Sequence, residues 1–182
     1  IHDGSMSPCV SWGSPREVAE LVRRRPELSR LSLSAHLMTR DPESSVTEWF
    51  EAGVLRLTIH IESLRDPRYL LAKAGEFGGT IALALSPQIS PKLLAPYTRS
   101  FSEFLVLAVP PGAAGQRFDE VALDHLAFLR GIAPRATLGV DGGITPETLR
   151  RSRAAGAEYF VSSSYIFDDP DPRLAYEHLR TA

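Results

Sequence analysis

The feature that most constrains the fold is a series of short, almost uninterrupted apolar runs along the whole chain. LSLSAHL (31–37), VLRLTIHI (54–61), TIALALS (80–86), FLVLAV (104–109), ATLGV (136–140) and EYFVSS (158–163) are such runs. Strict polar/apolar alternation would mark a strand with one wet face. A continuous apolar run needs cover on both faces, as in a parallel sheet flanked by helices. Helix-like stretches lie between the runs: SSVTEWFEAG (44–53), PRYLLAKAGEFGG (67–79), PKLLAPY (91–97) and DEVALDHLAFLRGI (119–132). Thr145 with Pro146, Asp171 with Pro172, and Ser14 with Pro15 read as helix starts, a capping residue followed by proline at the first helical position. Strand starts recur roughly every 20–30 residues, the repeat of a (β/α) barrel or a doubly wound sheet. No Gly-x-Gly-x-x-Gly follows a strand, which disfavours a dinucleotide-binding sheet.

The 182 residues are 43% hydrophobic and 23% charged, enough for one core and a single domain over 1–182. The net charge of -2 and a pI near 6.2 exclude an obvious nucleic-acid or anionic-membrane partner. Arg23, Arg24 and Arg25 read as a solvated helix end. Cys9 is the only cysteine, so no disulfide framework exists, and a reducing cytoplasm fits. No apolar run approaches the ~18 residues of a spanning helix, and there is no signal-peptide pattern. The chain opens on Ile1 at what reads as the end of a strand, so a first strand-helix unit is expected to be missing.

In barrels of this kind, functional side chains stand at the C-terminal ends of strands. TLGVDGGITPE (137–147) is the sharpest such place. A lone carboxylate, Asp141, is followed by Gly142 and Gly143 and then by a capped helix. Two glycines let backbone N–H groups approach a ligand, and the helix start favours an anion such as phosphate. The competing reading is a plain Asp-Gly turn, weakened because the segment joins a strand to a helix. His36 ends the first clear run; it reads as a core histidine or, with Asp141, as a metal ligand for Zn, Fe or Mn. His60 and Glu62 alternate on one strand face, as hydrogen-bond partners or as a wet strand end. PPGAAGQRF (110–118) carries almost no side chain between Gly112 and Gly115, so it is a plain turn or a backbone cradle for phosphate. Ser162, Ser163 and Ser164 end the last strand with hydroxyl and N–H donors.

Taken together, these segments resemble the ribulose-phosphate 3-epimerase family nearly end to end. DGSMSPCVSWG (3–13), SAHLMTRDPE (34–43), LTIHIES (57–63), LALSPQIS (83–90), VPPGAAGQRF (109–118), VDGGIT (140–145) and VSSSYIF (161–167) are similar to family motifs in family order. Departures stand beside the matches. Ser86 replaces an asparagine, Ala114 and Ser163 replace glycines, and Leu107 replaces a methionine. At the start, Asp3 aligns with the family's Asp-Gly or His2 with its ligand histidine, but both together need a short deletion.

The resemblance implies an α/β fold, a (β/α)8 TIM barrel here lacking or not showing its first strand-helix unit. It implies a divalent metal held by two histidines and two aspartates, for which His36, Asp141, His2 and Asp3 are the candidates. It implies a phosphorylated ketopentose as substrate, epimerised at C3 through an enediolate by two acid/base groups, with Asp141 as one and Asp3 as the other. Met38, as a wall residue, and Ser86 are expected among the substrate-binding or phosphate-binding residues. Gly112, Ala114, Gly115, Gly142, Gly143, Ser163 and Ser164 are expected around the phosphate. Asp141 and His36 are expected to converge on one cation. A homo-oligomer in the cytoplasm is expected, without nucleic-acid or membrane partners. Two other readings stay open: a degenerate paralogue that binds a sugar phosphate without turnover, and a barrel relative with altered chemistry.

Overall fold

The computed structural model describes residues 1–182, except the side chain of Ser29. The chain divides into two compact units, Ile1–Leu83 and Ala84–Ala182. Both repeat one scheme, a strand followed by a helix, and all strand pairs within them run parallel.

In the first unit, α1 (Pro15–Arg24) starts from a reciprocal cap: Ser14 accepts from the Glu17 N–H, and Glu17 accepts from the Ser14 N–H. Arg23 and Arg24 at its end pair with Glu20, and Arg25 pairs with Glu27, so the arginine run is a wet helix terminus as expected. β1 (Ser34–Leu37) lies beside β2 (Arg56–His60) with Leu37 opposite Ile59. Between them, α2 (Val46–Glu51) buries Val46, Trp49 and Phe50. α3 (Pro67–Phe77) is capped by Asp66 and ends at Gly78, in the left-handed conformation at φ 64°. β3 (Thr80–Leu85) carries the division between the units. The chain start also adds to this unit. The Ile1 nitrogen donates to the His36 carbonyl at 2.6 Å, the Met38 N–H donates to the Ile1 carbonyl at 2.9 Å, and His2 bridges Met38 in parallel.

In the second unit, β4 (Glu103–Leu107), β5 (Thr137–Asp141) and β6 (Tyr159–Val161) stand in chain order. Phe104–Leu107 of β4 and Leu138–Val140 of β5 are buried without a break, as the apolar runs require. β6 departs from this: Tyr159 and Phe160 are half-buried and Val161 is 40% exposed. α4 (Val121–Ile132) buries Ala122, His125, Leu126 and Leu129, one helical stripe. Its phase differs from the apolar residues taken alone, because Leu123 and Phe128 sit at the edge of the stripe and His125 sits inside it. α5 (Pro146–Ala154) packs on α4 and on α7 (Pro172–Arg180), and a single turn, α6 (Ser164–Phe167), precedes α7. Residues Pro91–Tyr97, read as a short α-helix, form a 3-10 helix; Pro96 lacks the N–H that an α-helix would use there. No helix among the described residues is long and apolar enough to cross a membrane.

Two residues test this packing. Gly139 on β5 faces Tyr159 on β6 so closely that an added Cβ would come within 2.1 Å of the tyrosine Cζ. Gly139→Ala is therefore expected to cost about 1–3 kcal/mol by overpacking. Gly75→Ala in α3, where a Cβ meets nothing, is expected to gain up to about 1 kcal/mol; urea unfolding measures both. Burial lowers the pKa of His125 from its ordinary value, with Asp124 and Asp119 opposing. The unfolded imidazole then binds its proton at a higher pH than the native one. Stability is expected to fall as pH drops below 6.5 toward the lower native value. His125→Leu should flatten that part of a melting-temperature profile.

Candidate functional site

In the first unit, the strand ends bring two imidazoles together. His36 on β1 is half-buried, and His60, the last residue of β2, is wholly buried. Their rings stack with centroids 4.9 Å apart and planes 14° apart. The Glu62 carboxylate lies 3.5 Å from His60 Nδ1. The sequence paired His60 with Glu62 but gave no sign that His60 would lie flat on His36.

The chain start supplies the other two proposed ligands in different settings. His2 is half-buried, with Nδ1 2.9 Å from Ser7 Oγ; burial is the largest influence lowering its pKa. Asp3 is exposed, and its carboxylate accepts from the Ser5 N–H at 2.9 Å and the Ser5 hydroxyl at 2.5 Å. The Ser5 hydroxyl bond, then the backbone one, holds its pKa below the ordinary carboxylate value. Met38 is half-buried beside His2. Met6, Arg40, Glu62, Ser63 and Arg65 line an open cleft of about 400 Å³.

In the second unit, β5 ends on Asp141, opposite Leu107 of β4, and the Ala108 N–H donates to its carbonyl at 2.8 Å. The two glycines that follow answer to the chain itself. Gly142 has φ 103°, and a Cβ there would come within 2.5 Å of the Val109 side chain. Gly143 has φ 62°, and its Cβ would come within 2.5 Å of the Phe118 backbone nitrogen. Both positions combine a left-handed backbone with close approach, which only glycine meets without strain. The Thr148 hydroxyl donates to the Gly143 carbonyl, and Thr145 caps α5 by accepting from the Thr148 N–H.

The loop 110–116 is closed by a side chain that its sequence does not advertise. Gln116 Nε2 donates to the Pro110 and Ala113 carbonyls, each at 2.9 Å. Gly112 and Gly115 carry positive φ, whereas among the described residues no non-glycine residue does, Ala114 and Ser163 included. Gly115, Gly143 and Ser164 line one open cleft of about 590 Å³. Ala114, Gly142 and Ser163 adjoin those residues in the chain without lining it, and Gly112 lies three residues before Gly115, also outside the lining. Ser86 is buried, just past β3. Arg117 also lines the cleft and makes no ion pair among the described residues; sequence reading passed over it because a single arginine in a loop carries no pattern.

Imidazoles suit Zn, Fe or Mn, but a stable site needs at least a third ligand beside them. Among the described residues, no three His, Cys, Asp or Glu side chains gather so as to hold an ion, and Asp3 is engaged by Ser5. Within the first unit, His2, Asp3 and His36 as placed do not make a complete metal site.

Comparison with known proteins bears on the same segments. The model of the "Ribulose-phosphate 3 epimerase family" matches residues 1–167. A ribulose-phosphate 3-epimerase of Schizosaccharomyces pombe is 27% identical over 182 residues, spanning all of this chain and 79% of that protein. One of Chlamydia trachomatis is 28% identical, spanning 92% of this chain and 72% of that protein. Among solved structures, 3-hexulose-6-phosphate synthase from Salmonella typhimurium superposes with a TM-score of 0.73 at 16% identity, over 92% of this chain and 78% of that one. At that identity the likeness shows the fold alone, a (β/α) barrel type as expected.

Gln116 is expected to hold the loop as a ring. Gln116→Ala should raise amide hydrogen exchange across residues 111–117 severalfold. The stability cost should stay near the 0.5–1.5 kcal/mol of ordinary hydrogen bonds, roughly, by urea unfolding.

Proposed function

Because the chain belongs to the ribulose-phosphate 3-epimerase family, we propose that it interconverts ribulose 5-phosphate and xylulose 5-phosphate or a closely similar ketopentose phosphate. The observation that carries this reading is the family match over residues 1–167, within which Asp141 stands at a strand's C-terminal end. Epimerisation at C3 removes a proton beside the ketone from one face of the sugar and returns one to the other. The intermediate is a planar enediolate, and the reaction needs an acid/base group on each face. We assign Asp141 as one such group. It is half-buried, and its strand holds it against β4, so its position is set by backbone pairing.

We assign the phosphate to the cleft of the second unit. Gly115 and Gly143 offer backbone close to a ligand, α5 presents its N-terminus there, and Arg117 adds a free cationic group among the described residues. His36 is assigned to the sugar end of the reaction. Asp3 is assigned as the second acid/base group, and for that it must leave Ser5, whose hydrogen bonds make it a weaker base.

The engagement of Asp3 favours one alternative specifically, a protein that binds the sugar phosphate without turning it over. Deuterium exchange separates the two. Ribulose 5-phosphate incubated with the protein in deuterated water should acquire deuterium at C3, followed by NMR. Asp141→Asn should lower that rate by about 10²–10⁴, the usual contribution of a positioned acid/base group. Tight binding of ribulose 5-phosphate with no exchange would install the alternative, and neither binding nor exchange would remove both.

A further inference from the structure

The geometry points to His60 and Glu62 as positioning residues that fix the imidazole plane of His36; the inference rests on the assignment of His36 to the reaction. Register pairs His36 with Thr58, so His60 is the next β2 residue on the same sheet face. Its ring lies nearly parallel to that of His36, at 4.9 Å between centroids. His60 has no solvent exposure, yet it is a polar ring in a place where Leu or Phe would fill the volume without the cost of burying ring nitrogens. Glu62 meets that cost from the rim. Its carboxylate, whose side chain is 24% exposed, reaches to 3.5 Å from Nδ1, near the outer limit of a hydrogen bond.

The turn that carries this carboxylate is itself held. Ile61–Ser63 forms one 3-10 turn, and the Ser63 hydroxyl donates to the Thr39 carbonyl at 2.7 Å, just beyond β1. The ends of β1 and β2 are thus tied twice, once by the stacked rings and once by the Ser63 bond. Rotation of His60 about its side-chain bonds is opposed by Glu62, and tilting of His36 is opposed by the flat face of His60. A histidine assigned to chemistry is thereby held by packing and not by its own hydrogen bonds alone. Such orientation matters, because a misplacement of about 1 Å can cost on the order of a hundredfold in rate.

Three variants test this: Glu62→Gln, His60→Phe and His60→Ala. His60→Phe keeps a flat ring and so guards against loss of folding in His60→Ala. The readouts are the His36 ring signals in ¹⁵N-edited NMR spectra, the melting temperature, and kcat and KM for ribulose 5-phosphate. Glu62→Gln should shift or broaden the His36 ring signals and lower kcat about tenfold with KM changed less than about twofold, at a near-unchanged melting temperature. His60→Phe should give a smaller ring perturbation than His60→Ala. His36 ring signals that stay put in every folded variant would overturn the inference, as would displaced signals with unaltered kcat. Should the wild-type protein not turn over ribulose 5-phosphate at all, the proposed function fails, while the ring signals still decide the positioning.

Discussion

The passage from β5 into α5 is the constraint on which the second unit depends. Within it, the strand must deliver a carboxylate, reverse direction, and start a helix over a neighbouring loop. Gly142 takes φ 103° against Val109, and Gly143 takes φ 62° against the backbone of Phe118. A side chain at either place would push the loop 110–118 away and move the end of β5 with it. The same loop is drawn in by the Asp119 N–H, which donates to the Ala108 carbonyl at 2.7 Å, and is closed on itself by Gln116. The carboxylate, the loop and the helix N-terminus are therefore set by one cluster of close backbone contacts.

That cluster changes the meaning of the glycines. From sequence they read as space reserved for a ligand. In the structure the space directly over them is occupied by Val109 and Phe118. What they give a ligand is indirect: Gly143 can lie at the floor of the cleft because Phe118 fits against it. A packing demand and a binding demand act on the same residues, and the packing demand alone is sufficient to require glycine.

Much of the fold was legible because burial on two faces leaves an apolar run that few other arrangements need. All six runs became strands, and Thr145, Asp171 and Ser14 became helix caps where side-chain oxygens precede proline. The phase of α4 was less legible, since Leu123 and Phe128 look like core and His125 does not, yet helical geometry places His125 in the buried stripe. Asp141 and His36 stood out at strand ends. The His36–His60 stack did not, because it depends on register between two strands, and one residue of slip would turn His60 to the opposite face. Gln116 and Arg117 escaped for another reason: their contacts are made within an irregular loop that no periodicity describes.

The two aspartates proposed for proton transfer show how differently one side-chain type can be held. Asp141 ends a buried strand, and pairing with β4 fixes its backbone. Asp3 is exposed and makes only a single antiparallel bridge, to Val10, and its carboxylate accepts two bonds from Ser5 that hold it below its ordinary pKa. A carboxylate fixed by backbone pairing needs little reorganisation to meet a substrate, while one bound to its own loop must give up bonds first. In a reaction that uses one group on each face of the sugar, that difference makes the two faces unequal. Under the proposed roles, proton transfer on the Asp3 side would carry the extra cost of freeing a carboxylate from Ser5.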